Sequence, residues 1–155
     1  MMQLIGSIAI SGLSGQRVDV EVDIATGIPA FSIVGLGDAA VQESRERVRS
    51  AIKNSGHAFP SKRITVNLAP ADTRKSGPSF DLPIALGILL GDGITSERNL
   101  SKTYFLGELA LDGKIREITG VLPAILFAKS HGAECVVIPA GNLDEASLVT
   151  GINIL

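Results

Sequence analysis

The chain has few of the residues that stabilise small proteins through covalent bridges or large aromatic side chains. Its 155 residues include one cysteine, Cys135, no tryptophan and only 4% aromatic residues. A single cysteine excludes an internal disulfide framework, and its place in the apolar run 135–138 indicates a small buried side chain. Because 45% of the residues are hydrophobic, the core must be built from isoleucine, leucine, valine and alanine, and the length suits one domain spanning 1–155.

Long hydrophobic runs and a basic leader are also missing. The first four residues, Met1–Leu4, have neither the basic lead nor the long apolar stretch of a secretory signal. The longest apolar stretches fall well short of the roughly 20 residues that span a bilayer. We therefore expect a cytoplasmic protein with no membrane partner. The sequence stops at Leu155 without a tail, which favours a domain taken from a longer protein.

Signatures of nucleotide and metal binding are absent or incomplete. No Gly-x-x-x-x-Gly-Lys-Ser/Thr run occurs, so we expect no ATP hydrolysis by this chain alone. The two histidines, His57 and His131, lack spaced carboxylate or thiol partners, so we expect no metal site. The segment 35–40 resembles a dinucleotide fingerprint, but no acidic residue follows the next strand, which favours a tight strand-to-helix turn. We accordingly expect no cofactor and no small-molecule substrate.

The hydrophobic pattern predicts an α+β fold, a mixed sheet packed with helices in the order β-β-β-α-β-α-β-β-α-β-α, with a further strand at the end. Asp38 is a suitable N-cap for a helix that reaches about Asn54. Asn142 and Glu145 have the spacing of a capping pair on a short last helix. The predicted strands are 7–11, 18–23, 30–34, 64–68, 103–106, 134–138 and 152–155, with a hairpin over 107–116, and the other helices are 81–90 and 122–131.

One segment of the chain differs in charge from the rest. The net charge of −2 alone argues against a nucleic-acid-binding protein. Residues 43–75 nevertheless hold eight basic and three acidic side chains, a net charge of +5, which leaves −7 for the remainder. This asymmetry permits a positive face on an acidic body, although a solvated helix followed by loops explains it equally well. The basic residues are Arg45, Arg47, Arg49, Lys53, Lys62, Arg63, Arg74 and Lys75.

A glycine-proline turn at residues 77–78 presents Ser79 at the start of an apolar helix. A helix N-terminus has free N–H groups and a dipole that favour negative charge, so it is a suitable place for a nucleophile or a ligand. A serine nucleophile also needs a base within about 3 Å, and a lysine is one known solution. The segment 119–123, where we expect that lysine, contains none. We therefore predict that Ser79 is a helix cap, shared with Asp81, on a scaffold used for another purpose.

Four segments together resemble one family: 31–36 (FSIVGL), 43–51 (ESRERVRSA), 62–72 (KRITVNLAPAD) and 80–87 (FDLPIALG). In this order they are similar to the N-terminal domain of the magnesium-chelatase-like AAA+ ATPases, the ComM/YifB group. The resemblance runs from about Gly6 to about Ile138. It implies a fold similar to the Lon protease domain and to the C-terminal domain of RadA, within the superfamily named for domain 2 of a ribosomal protein.

The resemblance also has an implication for the turn that carries Ser79. Against the Lon pattern, residues 77–79 match the nucleophile turn, and Leu122 stands at the position of the Lon lysine. Lys129 lies about two helical turns further on, some 10 Å along the axis, so it does not substitute. The resemblance therefore implies a degenerate site without catalytic activity, in which Ser79 is a relic or a coincidence.

The same resemblance implies a larger parent protein. Its further parts would be an AAA+ module, which binds ATP and Mg²⁺ through Walker motifs, and a C-terminal magnesium-chelatase-like segment. ComM-type parents are hexameric, ATP-driven motors that promote DNA branch migration during natural transformation. We therefore expect this chain to self-assemble within a ring or to contact single-stranded or branched DNA.

The basic segment provides the candidate contact residues. Steps of two residues turn a helix by about 200°, so Arg45, Arg47 and Arg49 do not share one face, whereas residues 45, 49 and 53 do. Phosphate contact would be independent of sequence and sensitive to salt. Arginine pairs across subunits are the alternative, which makes the chain an oligomerisation module without DNA contact. A peptidase that depends on Ser79 is the remaining alternative. The DNA-contact candidates are Arg45, Arg49, Lys53, Lys62, Arg63, Arg74 and Lys75.

Overall fold

The structure, a computed structural model, describes residues 2–93 and 100–155. The strands are β1 (Met2–Ser11), β2 (Ser14–Ala25), β3 (Ala30–Val34), β4 (Arg63–Ala69), β5 (Thr103–Phe105), β6 (Glu108–Leu109), β7 (Ile115–Arg116), β8 (Cys135–Val137) and β9 (Asn153–Ile154). The helices are α1 (Ala39–Asn54), α2 (Asp81–Gly91), α3 (Val121–Ser130) and the short α4 (Leu143–Ala146), which follows a 3₁₀ turn at Ala140–Asn142.

Seven strands form one sheet in the order β3-β4-β2-β1-β5-β8-β9, while β6 and β7 pair as a separate hairpin. The long strand β2 is antiparallel to both of its neighbours, β1 and β4. Every other neighbouring pair in the large sheet is parallel. The prediction of a mixed sheet packed with helices is therefore confirmed, and most of its strand pairs are parallel.

The sheet separates two hydrophobic cores. Helices α1 and α2 pack on one face, where Ile5, Val20 and Val66 of the sheet are fully buried. Helix α3 packs on the other face at the β1–β5–β8 end, around Ile8 and Ile125. Because side chains alternate between the two faces of a strand, β1 contributes to both cores.

The predicted first helix and the first two predicted strands are all present, and these two strands are longer than predicted. The Asp38 carboxylate accepts the Val41 N–H at 2.9 Å, which confirms it as the N-cap of α1. The ladder between β1 and β2 extends from Met2↔Asp23 to Ser11↔Ser14 around a two-residue turn. The sequence pattern located the C-terminal half of β1, 7–11, and the middle of β2, 18–23, and it missed residues 2–6 of β1 and the two ends of β2.

Glycine is required where β3 turns into α1. Gly35 has a φ of 108°, and a Cβ there would lie 2.3 Å from the backbone oxygen of Leu68. Asp38 caps the N-terminus of α1: its carboxylate accepts the Gly77 N–H at 3.3 Å as well as the Val41 N–H of the helix. This arrangement agrees with a tight strand-to-helix turn, because the place of a phosphate is taken by the chain's own carboxylate.

Near the C-terminal end of the chain, one predicted cap has a different role. Asn142 and Glu145 do contact each other at 2.8 Å, but the Asn142 side chain makes no capping hydrogen bond to α4 within the described residues. The Asn142 amide instead receives the Ile118 N–H at 2.9 Å and donates to the Ile118 carbonyl at 2.8 Å. The capping role was wrong because tertiary contact supplied a buried backbone partner that the local spacing does not show.

Among residues 2–93 and 100–155, no helix combines the length and the apolar composition needed to cross a membrane.

Candidate functional site

A buried carboxylate joins α1 to α2 and sets the orientation of the basic helix. Asp81 is fully buried and accepts hydrogen bonds from Ser44 Oγ at 2.5 Å and from Arg47 Nε at 2.6 Å. It also accepts the Leu109 N–H at 3.0 Å. The prediction that Asp81 and Ser79 cap α2 was wrong, because Phe80 holds the cap position and, in the described chain, no side chain caps the helix.

This network holds the Arg47 side chain against Asp81 and largely out of solvent. Its guanidinium also donates to the Ala40 carbonyl at 2.7 Å, and its side chain is only 17% exposed. The hydrogen bonds to Asp81 raise the pKa of Arg47, so its charge is fixed. With Arg47 facing α2, the turn of the helix directs Arg45, Arg49 and Lys53 elsewhere, as the spacing by fours predicted.

Lys75, one of the predicted DNA-contact residues, is not at the surface. Its side chain is fully buried, and its ammonium donates to the carbonyls of Gly35, at 2.8 Å, and Pro70. Burial lowers the pKa of the Lys75 ammonium. The prediction was wrong because a loop that reads as polar packs back onto the β3–α1 junction, where Lys75 N–H also binds the Leu36 carbonyl at 2.9 Å.

Three of the predicted residues do come together. Arg49 and Lys53 of α1 and Lys62, just before β4, line one cavity of about 190 Å³ that also includes Phe31 and Phe59. We call it the Phe59 pocket. Arg49 pairs with Glu46 at 3.2 Å, and Lys62 lies 3.7 Å from Asp92. Glu46 is 76% exposed, and an ion pair at such an open surface contributes about 0–1 kcal/mol.

The other predicted cations lie apart from this pocket. Arg45 is exposed one turn before Arg49, with its Nε donating to the Gln42 carbonyl at 3.2 Å. Arg63 is exposed and alternates with the buried Ile64, so it projects from the sheet face opposite α1. Arg74 is exposed and lines a separate cavity beside the β1–β2 turn. The predicted set is therefore one cluster with neighbours, not one continuous patch.

The aromatic part of the cluster was not predicted from the sequence. The rings of Phe31 and Phe59 lie 5.6 Å apart with a tilt of 31°. The Arg49 guanidinium carbon lies 5.4 Å from the centre of the Phe59 ring and 6.0 Å from that of Phe31. With 4% aromatic residues in the chain, a phenylalanine three residues before Lys62 was the available signal.

Ser79 lies in a different cavity, one of about 900 Å³ between the end of β1, residues 76–79 and the start of α3. Its carbonyl accepts the Gly107 N–H at 3.0 Å, and its side chain is half-buried. The described residues that line this cavity include Glu108, Glu117 and Glu145 but no lysine or histidine. The arrangement offers Ser79 no basic nitrogen to take up its proton.

The residue at the predicted lysine position is also away from this cavity. Leu122 lies in the first turn of α3 and packs, partly buried, against the second core. Lys129 is exposed at the other end of the helix, where its Nζ lies near Gly151. In the part of the chain that the structure describes, no group of three or more His, Cys, Asp or Glu side chains is placed to hold a metal ion.

The family follows from comparison with known proteins. The sequence profile described as subunit ChlI of Mg-chelatase matches residues 20–142. This match covers most of the chain, so the chain belongs to the family of the ChlI subunit of magnesium chelatase.

Curated relatives fall within the group that the motifs indicated. The chain is 47% identical to an uncharacterized protein of Mycobacterium tuberculosis over 148 residues, which are 96% of the chain and 29% of the relative. It is 44% identical to the competence protein ComM of Haemophilus influenzae over 152 residues, 98% of the chain and 30% of ComM. It is 38% identical to the uncharacterized protein YifB of Escherichia coli over 150 residues, 97% of the chain and 29% of YifB. The resemblance to the ComM/YifB group is confirmed.

The chain spans about three-tenths of the length of these relatives. A more distant similarity joins it to the Lon protease of Lachnoclostridium phytofermentans, at 27% identity over 146 residues, 90% of the chain and 18% of that protease. The chain therefore corresponds to a fragment of ComM- and YifB-type proteins.

Proposed function

We propose that this chain is the non-catalytic N-terminal domain of a ComM-type AAA+ ATPase and contributes a DNA contact through α1 and the segment before β4. The observation that supports it is the convergence of Arg49, Lys53 and Lys62 on one cavity. Arg45 extends the same exposed helix face by one turn. Three cations on one surface suit contacts to successive phosphates, which need charge but no particular base sequence.

The remaining functions belong to the parts of the parent that this chain does not include. ATP and Mg²⁺ would be bound by the AAA+ module, and the hexameric ring would move DNA by hydrolysis there. The match to about 30% of ComM supports this division. The similarity to a Lon protease supports the expected Lon-like, ribosomal-protein-domain-2-like fold.

The proposal is tested by fluorescence anisotropy with labelled single-stranded and forked DNA, titrated with salt at high protein concentration because an isolated domain lacks avidity. The Lys53→Gln/Lys62→Gln variant removes two cations from the cluster. The matched control, Lys102→Gln/Lys129→Gln, removes two exposed cations outside the cluster, one directly before β5 and one near the end of α3. We expect the first variant to reduce the salt slope for single strands by about 1.4, and the control to leave it unchanged.

The absence of binding at low salt would reject the DNA contact and favour ring assembly. The observation that supports that alternative is the pairing of the accessible Arg49 with Glu46 at 3.2 Å on α1. Arg49 would then pair with a carboxylate of a neighbouring subunit. Sedimentation velocity distinguishes the two, because an assembly module self-associates and its self-association is weakened by Arg49→Gln.

A peptidase that depends on Ser79 is the remaining alternative, supported by the 900 Å³ cavity beside the serine. The lack of a basic nitrogen among the described lining residues disfavours it. A library of fluorogenic peptides tests it directly. Cleavage by the unaltered chain that disappears in Ser79→Ala would establish the activity, and no cleavage would end it.

A further inference from the structure

We propose that the Phe59 pocket holds one unpaired base of single-stranded nucleic acid, with the adjacent phosphates on Lys53 and Lys62. The inference rests on the proposed DNA contact and makes it more specific, because a base site distinguishes single strands from duplex. Its lining comes from three segments and includes Phe31, Arg49, Lys53, Phe59, Pro60 and Lys62.

The aromatic pair supplies the stacking surface. Phe31 is only 8% exposed and is fixed in the first core, and the half-buried Phe59 ring packs beside it at 5.6 Å. Phe59 therefore has a fixed orientation and retains accessible area. Bases stack on such rings without regard to sequence, because every base has an aromatic face.

Arg49 supplies a second planar surface. Its guanidinium stands over both rings, at 5.4 Å and 6.0 Å from their centres, and it remains 36% exposed. On its solvent side the guanidinium also pairs with the exposed Glu46 at 3.2 Å. A guanidinium plane beside an aromatic ring is a usual arrangement for splayed nucleotides, since it combines stacking with a positive charge.

The two lysines lie where the backbone of that nucleotide would pass. In the part of the chain that the structure describes, Lys53 has no ion pair, whereas Lys62 has a long one with Asp92 at 3.7 Å and is 50% exposed. Both ammonium groups are therefore available to phosphate, and the acidic groups that compete with it here are Glu46 and Asp92. The cations still outnumber these carboxylates around the pocket.

The size of the pocket selects for a single base. A volume of about 190 Å³ lies below the roughly 300–1,000 Å³ of pockets for drug-sized ligands, so one planar ring system is the suitable occupant. In duplex DNA both faces of each base are already stacked, and moving one base out of the duplex into the pocket costs a few kcal/mol. Duplex would therefore use only the lysines, and single strands would use the whole pocket.

The test compares a fluorescein-labelled dT20 strand, the same strand with abasic sites throughout its centre, and a 20-base-pair duplex. We expect Phe59→Leu to weaken dT20 binding about tenfold and to leave duplex binding within about twofold. Phe59→Tyr keeps the aromatic face and should restore dT20 binding. Lys53→Gln should weaken both DNA forms and reduce the salt slope by about 0.7 to 0.9.

The abasic strand keeps the test independent of any effect of a variant on folding. The unaltered chain should bind it about as weakly as Phe59→Leu binds dT20. Equal binding of dT20, abasic strand and duplex by the unaltered chain would overturn the base site and leave the proposed DNA contact standing. No binding of any of them at low salt would remove both. Displacement of dT20 by an equal charge of poly-glutamate would assign the pocket to an acidic protein partner.

Discussion

Asp81 shows how one carboxylate can organise two helices. It is fully buried yet accepts hydrogen bonds from Ser44, Arg47 and the Leu109 backbone, so its charge is compensated within the fold. Three of the residues that carried the family resemblance, Ser44, Arg47 and Asp81, thus have a structural role. The charges of Arg47 and Asp81 pair with each other inside the fold, so they do not form part of a binding surface.

We predict that Asp81→Ala lowers the free energy of unfolding by about 3 kcal/mol or more, because Arg47 would keep a largely buried charge without its partner. Urea denaturation measures this. The control is Glu134→Ala, which removes an ion pair with Lys102 whose side chains are 69% and 62% exposed. That change should cost at most about 1 kcal/mol. Equal losses in the two variants would contradict a special role for Asp81.

Lys75 is the second residue whose charge lies inside the fold. Burial holds its pKa below the ordinary value of 10.5. Between the lowered pKa and 10.5 the unfolded chain binds more protons than the folded one, so this residue's contribution to stability increases as pH rises through that window. Below the window the folded state carries the full cost of the buried charge.

The prediction is that the stability of the unaltered chain relative to Lys75→Met is greater at pH 10 than at pH 7. Urea denaturation of both proteins at both values measures the difference, and the comparison cancels groups that titrate alike in the two chains. A difference that stays constant or falls with pH would show that Lys75 does not titrate in this way.

At the scale of elements, the junction between β3 and α1 determines where the basic helix begins. Gly35 has no room for a side chain beside the Leu68 backbone, and Asp38 then caps α1 at Val41. The following loop is tied to the same junction, since Asp38 N–H donates to the Lys75 carbonyl at 3.0 Å. The start of α1, and with it the position of Arg49 and Lys53, depends on these backbone contacts.

Gly35→Ala should therefore be markedly destabilising. Gly56→Ala is the matched control, because Gly56 also has a positive φ, 88°, but open space where a Cβ would lie. We expect about 1–2 kcal/mol for Gly56→Ala from backbone strain alone, and a further loss of roughly 1–3 kcal/mol for Gly35→Ala from the clash. Thermal unfolding by circular dichroism compares the two, and equal losses would mean that the clash is relieved at no cost.

At the scale of the molecule, one sheet is shared by two cores. Ile5 and Ile8 of β1 enter different cores, so loss of either core removes packing from the same strand. The only tyrosine, Tyr104, is buried in the second core, and the chain has no tryptophan. Its fluorescence therefore reports on one side of the sheet, while far-UV circular dichroism reports on all of it.

We predict that Tyr104 fluorescence and far-UV circular dichroism show one coincident urea transition. Ile88→Ala and Ile125→Ala, one fully buried residue in each core, should each cost about 2–5 kcal/mol and shift both signals together. A tyrosine transition that moves only in Ile125→Ala would show that the cores unfold separately.

Local patterns were sufficient for much of the fold and part of the candidate site. The spacing of apolar residues placed α1 with its Asp38 cap, and the alternation of 64–68 placed β4, because periodicity records which face of an element is buried. Spacing by fours also separated Arg47 from Arg49 and Lys53. The family resemblance, carried by 31–36, 43–51, 62–72 and 80–87, needed no structure.

The sequence by itself determined the elements, the family and the excess of basic residues in 43–75. Only the tertiary structure decided which of those residues are available. Lys75 is buried, Arg47 is held by Asp81, and Lys62 meets Phe31, Phe59 and Arg49 in one pocket. The physical reason is that local patterns report on neighbours along one element, whereas burial and pairing of a charge depend on partners brought together from distant parts of the chain.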